Sequence, residues 1–140
     1  MKLHNKFTIL IFFIFSSTAI ADYEVGTSSG ISDGYKEGRI IYWDDIPYAQ
    51  PPIKELRWKA PREINKPENR IIPKEDNYCV QRPSTLGGPG GEGIYVGTED
   101  CLYLDIVAPS KKKLEQLPVM FWIHGGGNTS GLKELYDFSK

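Results

Sequence analysis

The run Pro118-Val119-Met120-Phe121-Trp122-Ile123-His124-Gly125-Gly126-Gly127 constrains this chain most. Its apolar residues, rich in β-branched and aromatic types, predict a buried strand over 119–123. The strand stops at three glycines. At a strand end such a triplet turns successive amide hydrogens inward, because glycine has no side chain to obstruct a bound group and reaches backbone angles closed to other residues. A generic turn is the bland alternative. The position directly after an apolar strand favours instead a backbone cradle for developing negative charge. The chain runs only to Lys140, and the Gly-x-Ser-x-Gly pattern of a nucleophile elbow is expected to be missing from it.

A second strong strand is expected over 101–108, stopped by Pro109. Like 119–123 it shows apolar side chains in both directions, as strands buried on both faces do. No complete amphipathic helix is available to cover either. The composition is therefore that of an α/β protein whose helices are missing, and residues 22–140 read as a truncated N-terminal part of one domain, mostly strands and loops. Shorter strands are expected at 24–27 and 31–32, and a better one at 39–43, ended by Asp44-Asp45. Pro47, Pro51, Pro52 and Pro61 make 46–61 an ordered extended loop, and 62–77 is a polar surface connection. A helix is expected to begin within 132–138.

Residues 1–21 carry Lys2 and Lys6, an apolar run, and the small residues Ala19 and Ala21, the pattern of a signal peptide cleaved after Ala21. The run is short for a membrane span and no cysteine follows the cleavage site, so the mature chain is expected to be soluble, without a stable membrane anchor, and secreted or periplasmic. Losing two of 17 basic residues against 18 acidic ones moves the formal charge from −1 to −3. That balance points to no nucleic-acid partner. Lys111-Lys112-Lys113 reads as a solvated turn. In an oxidising compartment Cys79 and Cys101 read as a disulfide rather than two free thiols; closing the glycine- and proline-rich stretch between them would stabilise the fold by about 3 kcal/mol.

His124 is the sole histidine after cleavage. Attached to the glycines, with no carboxylate and serine specified around it, it is expected with Gly125 to support the loop rather than act as a general base. One histidine with no closely spaced cysteines gives no basis for a metal site, and no cofactor is expected. The glycines of 87–93 lack the Lys-Ser or Lys-Thr pair of a phosphate loop. Asn128-Thr129-Ser130 matches a glycosylation sequon beside a loop that a sugar would obstruct, and is read as accidental or unused.

Four landmarks occur in one order: Ile46-Pro47-Tyr48-Ala49-Gln50-Pro51-Pro52, Leu56-Arg57-Trp58-Lys59-Ala60-Pro61, Glu99-Asp100-Cys101-Leu102-Tyr103-Leu104-Asp105, and Trp122-Ile123-His124-Gly125-Gly126-Gly127. Together they resemble the N-terminal portion of a type-B carboxylesterase, the family that includes the cholinesterases. The resemblance implies an α/β-hydrolase fold, a Cys79–Cys101 disulfide, and a buried Arg57–Glu99 pair holding the extended loop against the strand near Leu102. It also implies Gly126 and Gly127 in an oxyanion hole, with the serine, acidic and histidine triad members further along than this chain reaches. The chain departs from the family pattern at Trp43, where phenylalanine is more usual, at Asp45, where glycine is usual, and at Asn128, where an aromatic residue is common.

The expected function is thus that of the intact parent, a serine carboxylic ester hydrolase acting on small-molecule esters; the 140 residues alone are expected to be inactive. The alternatives are a non-catalytic cholinesterase-like binding or adhesion protein, and a prematurely truncated, degenerate esterase. No protein partner is specified by the sequence.

Overall fold

The computed structural model describes residues 23–110 and 117–136. Residues 1–21, expected to be a signal peptide, and Lys111-Lys112-Lys113, expected to be a solvated turn, lie outside them.

Two tight hairpins start the fold. Strand β1 (Tyr23–Thr27) pairs antiparallel with β2 (Gly30–Glu37), and Thr27 opposite Gly30 leaves Ser28 and Ser29 as the loop. The Thr27 hydroxyl accepts from the amides of Ser29 (3.1 Å) and Gly30 (3.2 Å) and donates to the Gly30 carbonyl (2.8 Å), fixing the turn locally. Strand β3 (Ile40–Pro47) follows after Gly38-Arg39, with Glu37 opposite Ile40. Trp43 lies across Gly34, where a Cβ would sit 2.5 Å from the indole nitrogen, and that nitrogen donates to the Tyr23 carbonyl at 2.7 Å. The larger indole at this position thereby ties β3 to the start of β1.

Strand β4 (Tyr103–Pro109) closes a four-stranded antiparallel sheet in the order β1-β2-β3-β4. Asp44-Asp45 does not end β3 as the sequence suggests. The strand runs on to Pro47 through a bulge between Trp43 and Ile46, with Asp45 at φ 57°. A bulge lets two polar residues be absorbed without breaking the ladder. Single-turn 3-10 helices at Lys54–Leu56 and Lys133–Leu135 are the helical elements among the described residues, so the longer helix expected from 132 is not seen up to Tyr136. Strands and loops with almost no helix are the architecture expected for the N-terminal part of an α/β-hydrolase.

Burial falls short of the sequence expectation. The buried apolar residues are Ile41, Ile46 and Ala49, joined by the polar Ser32, Asp45, Asn77 and Gln81. Strand β4 is half-buried rather than covered on both faces. Residues 119–123 form no strand at all: Val119 is 91% and Trp122 56% exposed. Extended chain becomes a strand only when another strand satisfies its amides and carbonyls, and among the described residues none lies alongside.

Cys79 and Cys101 are joined, with their Cα atoms 4.9 Å apart. Just inside the bond, Gln81 and Val96 exchange backbone hydrogen bonds of 3.0 and 2.9 Å, and the Thr98 amide donates to the Tyr78 carbonyl at 2.9 Å. The glycine- and proline-rich stretch is thus pinned at its base.

Candidate functional site

The glycine loop stands at the surface, with 121–129 exposed. Gly126, Gly127 and Asn128 have φ of 132°, 60° and 58°, a run of left-handed conformations that reverses the chain. Asparagine tolerates such a value better than a bulky aromatic side chain, which accounts for Asn128 in this loop. The Gly126 carbonyl closes the turn by accepting from the amides of Thr129 (3.0 Å) and Ser130 (3.2 Å) and from the Thr129 hydroxyl (2.9 Å). A Cβ on Gly126 would lie 1.6 Å from the Ser130 carbonyl oxygen. Only glycine fits there.

The amides around this turn divide sharply. That of Gly125 is met by the Tyr136 hydroxyl at 3.3 Å and that of Gly131 by Gln81, whereas those of Gly126 and Gly127 have no acceptor among the described residues. Two adjacent, exposed, unmet donors on a rigid turn can receive an anionic oxygen. His124 Nδ1 lies 2.8 Å from the Gly125 carbonyl, so the ring faces its own loop and no serine hydroxyl.

Two strings match Gly-x-Ser-x-Gly letter for letter, which corrects the sequence reading that the pattern is missing: Gly26-Thr27-Ser28-Ser29-Gly30 and Gly30-Ile31-Ser32-Asp33-Gly34. Neither is a nucleophile elbow. An elbow lifts its serine on a strand-to-helix turn, whereas Ser28 occupies the β1–β2 hairpin loop and Ser32 is a buried residue within β2.

Arg57 Nε and Glu99 Oε1 are 2.7 Å apart. Their side chains are 52% and 41% exposed, so the pair is not buried as the resemblance implies, and solvent screening limits its worth to a tether. The buried ionic centre lies elsewhere, and the sequence reading did not assign it. Lys133 Nζ meets Asp45 at 2.8 Å, Asp105 at 2.9 Å and Glu134 at 2.7 Å. Asp45, only 5% exposed, also accepts from the Lys74 amide at 2.8 Å and from the Asn77 carboxamide, while its own amide donates to Asp105 at 2.9 Å. Burial opposes ionisation of Asp45, yet the bonds from Lys133, Asn77 and Lys74 outweigh it and leave its pKa below the ordinary value. For Asp105 burial prevails and the pKa is raised. Burial of Lys133 disfavours its charge, but its carboxylate partners reverse this and raise its pKa. The sole hint in the sequence was an aspartate at a position where glycine is usual; φ 57° explains that preference, and the network explains the aspartate.

Gln81 is a second residue the sequence did not single out. Its carboxamide makes both hydrogen bonds to the backbone of Gly131.

The Carboxylesterase family matches residues 17–140. This chain belongs to that family. Over 113 residues this carboxylesterase-family chain is 38% identical to a carboxylic ester hydrolase of Bombus ignitus, covering 76% of the chain and 20% of that protein. The para-nitrobenzyl esterase of Bacillus subtilis (strain 168) is 36% identical over 118 residues, 83% of the chain and 24% of that enzyme. The solved structure of a "thermophylic PNB esterase" superposes with a TM-score of 0.63 at 34% identity, over 77% of this carboxylesterase-family chain and 22% of that one. The chain therefore spans roughly a fifth to a quarter of the length of these relatives. Among its described residues no group of three His, Cys, Asp or Glu is placed to hold a metal ion, and no helix is long and apolar enough to cross a membrane.

Proposed function

We propose that these residues are the N-terminal part of a longer, exported serine ester hydrolase, hereafter the full-length protein, to which they contribute the oxyanion-binding loop. The observation that carries this reading is the pair of adjacent unmet amides at Gly126 and Gly127. Family membership supports the reaction class, and the named relatives include ester hydrolases of small molecules.

A serine in the remainder attacks the ester carbonyl carbon, and its proton passes to a histidine oriented by an acidic residue. Charge moves onto the carbonyl oxygen, where the Gly126 and Gly127 amides stabilise it. Collapse expels the alcohol with the proton from the histidine, and water then hydrolyses the acyl-enzyme by the same steps. The present residues supply electrostatic stabilisation but no nucleophile, so the 140-residue chain alone is inactive. The substrate is a small-molecule carboxylic ester; the reaction draws on no nucleic acid and no cofactor.

The test compares residues 22–140 with the full-length protein on short-chain aryl esters. Turnover only by the full-length protein, lost after treatment with a serine-directed inhibitor, is expected. An inactive full-length protein would refute the activity, and inhibitor-sensitive turnover by residues 22–140 would refute the division of labour.

Export is proposed from the basic start, apolar run and small residues at 19–21. Produced in an exporting host, the mature protein should begin at Asp22. N-terminal sequencing that finds Met1 on a cytoplasmic product rejects it.

A further inference from the structure

We infer that Gln81 is a positioning residue for the glycine loop, an inference that rests on the ester-hydrolase reading above. Its Nε2 donates to the Gly131 carbonyl at 2.8 Å and its Oε1 accepts from the Gly131 amide at 2.6 Å. One carboxamide thus holds both polar groups of a single backbone residue, fifty positions away in the chain. Nε2 also donates to the Cys79 carbonyl at 2.9 Å. Two carbonyl acceptors on one side and an amide donor on the other fix which end of the carboxamide is nitrogen, so a flipped side chain would lose all three bonds. Gln81 is only 7% exposed, and water does not replace these partners cheaply.

The clamp is rigid at its root. The Gln81 backbone is bonded to Val96 in both directions, two residues from the Cys79–Cys101 bond. It is also coupled to the donors. Gly131 is the neighbour of Ser130, whose carbonyl occupies the space a Gly126 side chain would need, and a Cβ on Gly131 would lie 2.5 Å from His124 Nδ1 and 2.7 Å from the Gly125 carbonyl. Holding Gly131 therefore holds both stems of the turn that aims the Gly126 and Gly127 amides. Donors set off their line by a fraction of an ångström lose transition-state stabilisation while substrate still binds.

Gln81→Met in the full-length protein preserves length and packing but removes all three side-chain hydrogen bonds. The expected result is a fall in kcat of about 10- to 100-fold, with KM within about threefold of wild type. Exchange of the hydrogen-bonded amides of the loop, those of Gly125, Thr129, Ser130 and Gly131, should quicken by about tenfold, with β1–β4 unchanged. Gln81→Asn keeps a neutral carboxamide but draws it one methylene back from Gly131, and should fall between Met and wild type; it gives the same contrast if the Met protein does not fold. Unchanged loop exchange overturns the clamp, and quickened exchange with unaltered kcat overturns its positioning role. Quickened exchange in a protein whose wild type hydrolyses no ester supports the clamp and overturns the ester-hydrolase reading instead.

Discussion

Gly126→Ala in the full-length protein is expected to lower kcat for ester hydrolysis by about 100- to 1000-fold, the range found when one oxyanion donor is lost. The added Cβ would fall 1.6 Å from the Ser130 carbonyl oxygen, so the turn must open, and with it the alignment of the Gly126 and Gly127 amides. The required φ of 132° is a second obstacle, because alanine does not adopt it without strain. KM should change much less, as the lost interaction strengthens only when charge reaches the carbonyl oxygen. Steady-state kinetics on an aryl ester reads both parameters. A variant with kcat within about threefold of wild type would remove this loop from the reaction.

Lys133→Met is expected to destabilise the full-length protein by about 3 kcal/mol, because it leaves Asp45 and Asp105 facing one another without their cation. The Asp45 amide already donates to Asp105, so the two carboxylates are held close whatever happens to the lysine. The pH dependence should change with it. The Asp45 pKa is depressed in the folded wild type, so its contribution is present above the unfolded carboxylate value, near pH 4, and is lost as pH falls through the folded value. The Asp105 pKa is raised, so its ionised form opposes folding and acid partly relieves it. Lys133 contributes fully below the unfolded lysine value and loses its contribution only in strong alkali. Without Lys133 the Asp45 pKa should rise, and mild acid should then cost the variant less stability than it costs wild type. Urea midpoints between about pH 4 and 7 test this; equal pH slopes in the two proteins would show that the network is not coupled as the distances indicate.

Much of the candidate site was legible in the residues themselves. A glycine triplet after an apolar run marks a turn that only small residues can make; Gly126 and Gly127 occupy left-handed conformations, and their amides have no acceptor among the described residues. Two cysteines could bond only to each other within the chain, and they do. The four ordered landmarks carry the resemblance to the family to which the chain belongs. These are properties of a residue and its immediate neighbours, or of a pattern shared with relatives, and neither requires knowing what lies across the fold.

What the sequence misjudged depended on distant partners. Residues 119–123 have every local property of a strand and form none, because strand formation needs a second chain segment to satisfy the backbone. Asp44-Asp45 looked like a strand end, yet β3 continues through a bulge because Lys74, Asn77 and Lys133 converge on Asp45 from elsewhere in the chain. Gln81 carries no local signal whatever; it matters only because Gly131 is brought beside it. The sequence by itself determined the family, the glycine turn and the available disulfide, since backbone preference and covalent chemistry are local. The tertiary structure alone decided the ionic centre and the clamp on the loop, since the energy of a buried charge or carboxamide is set by whichever groups surround it, and chain order does not specify those.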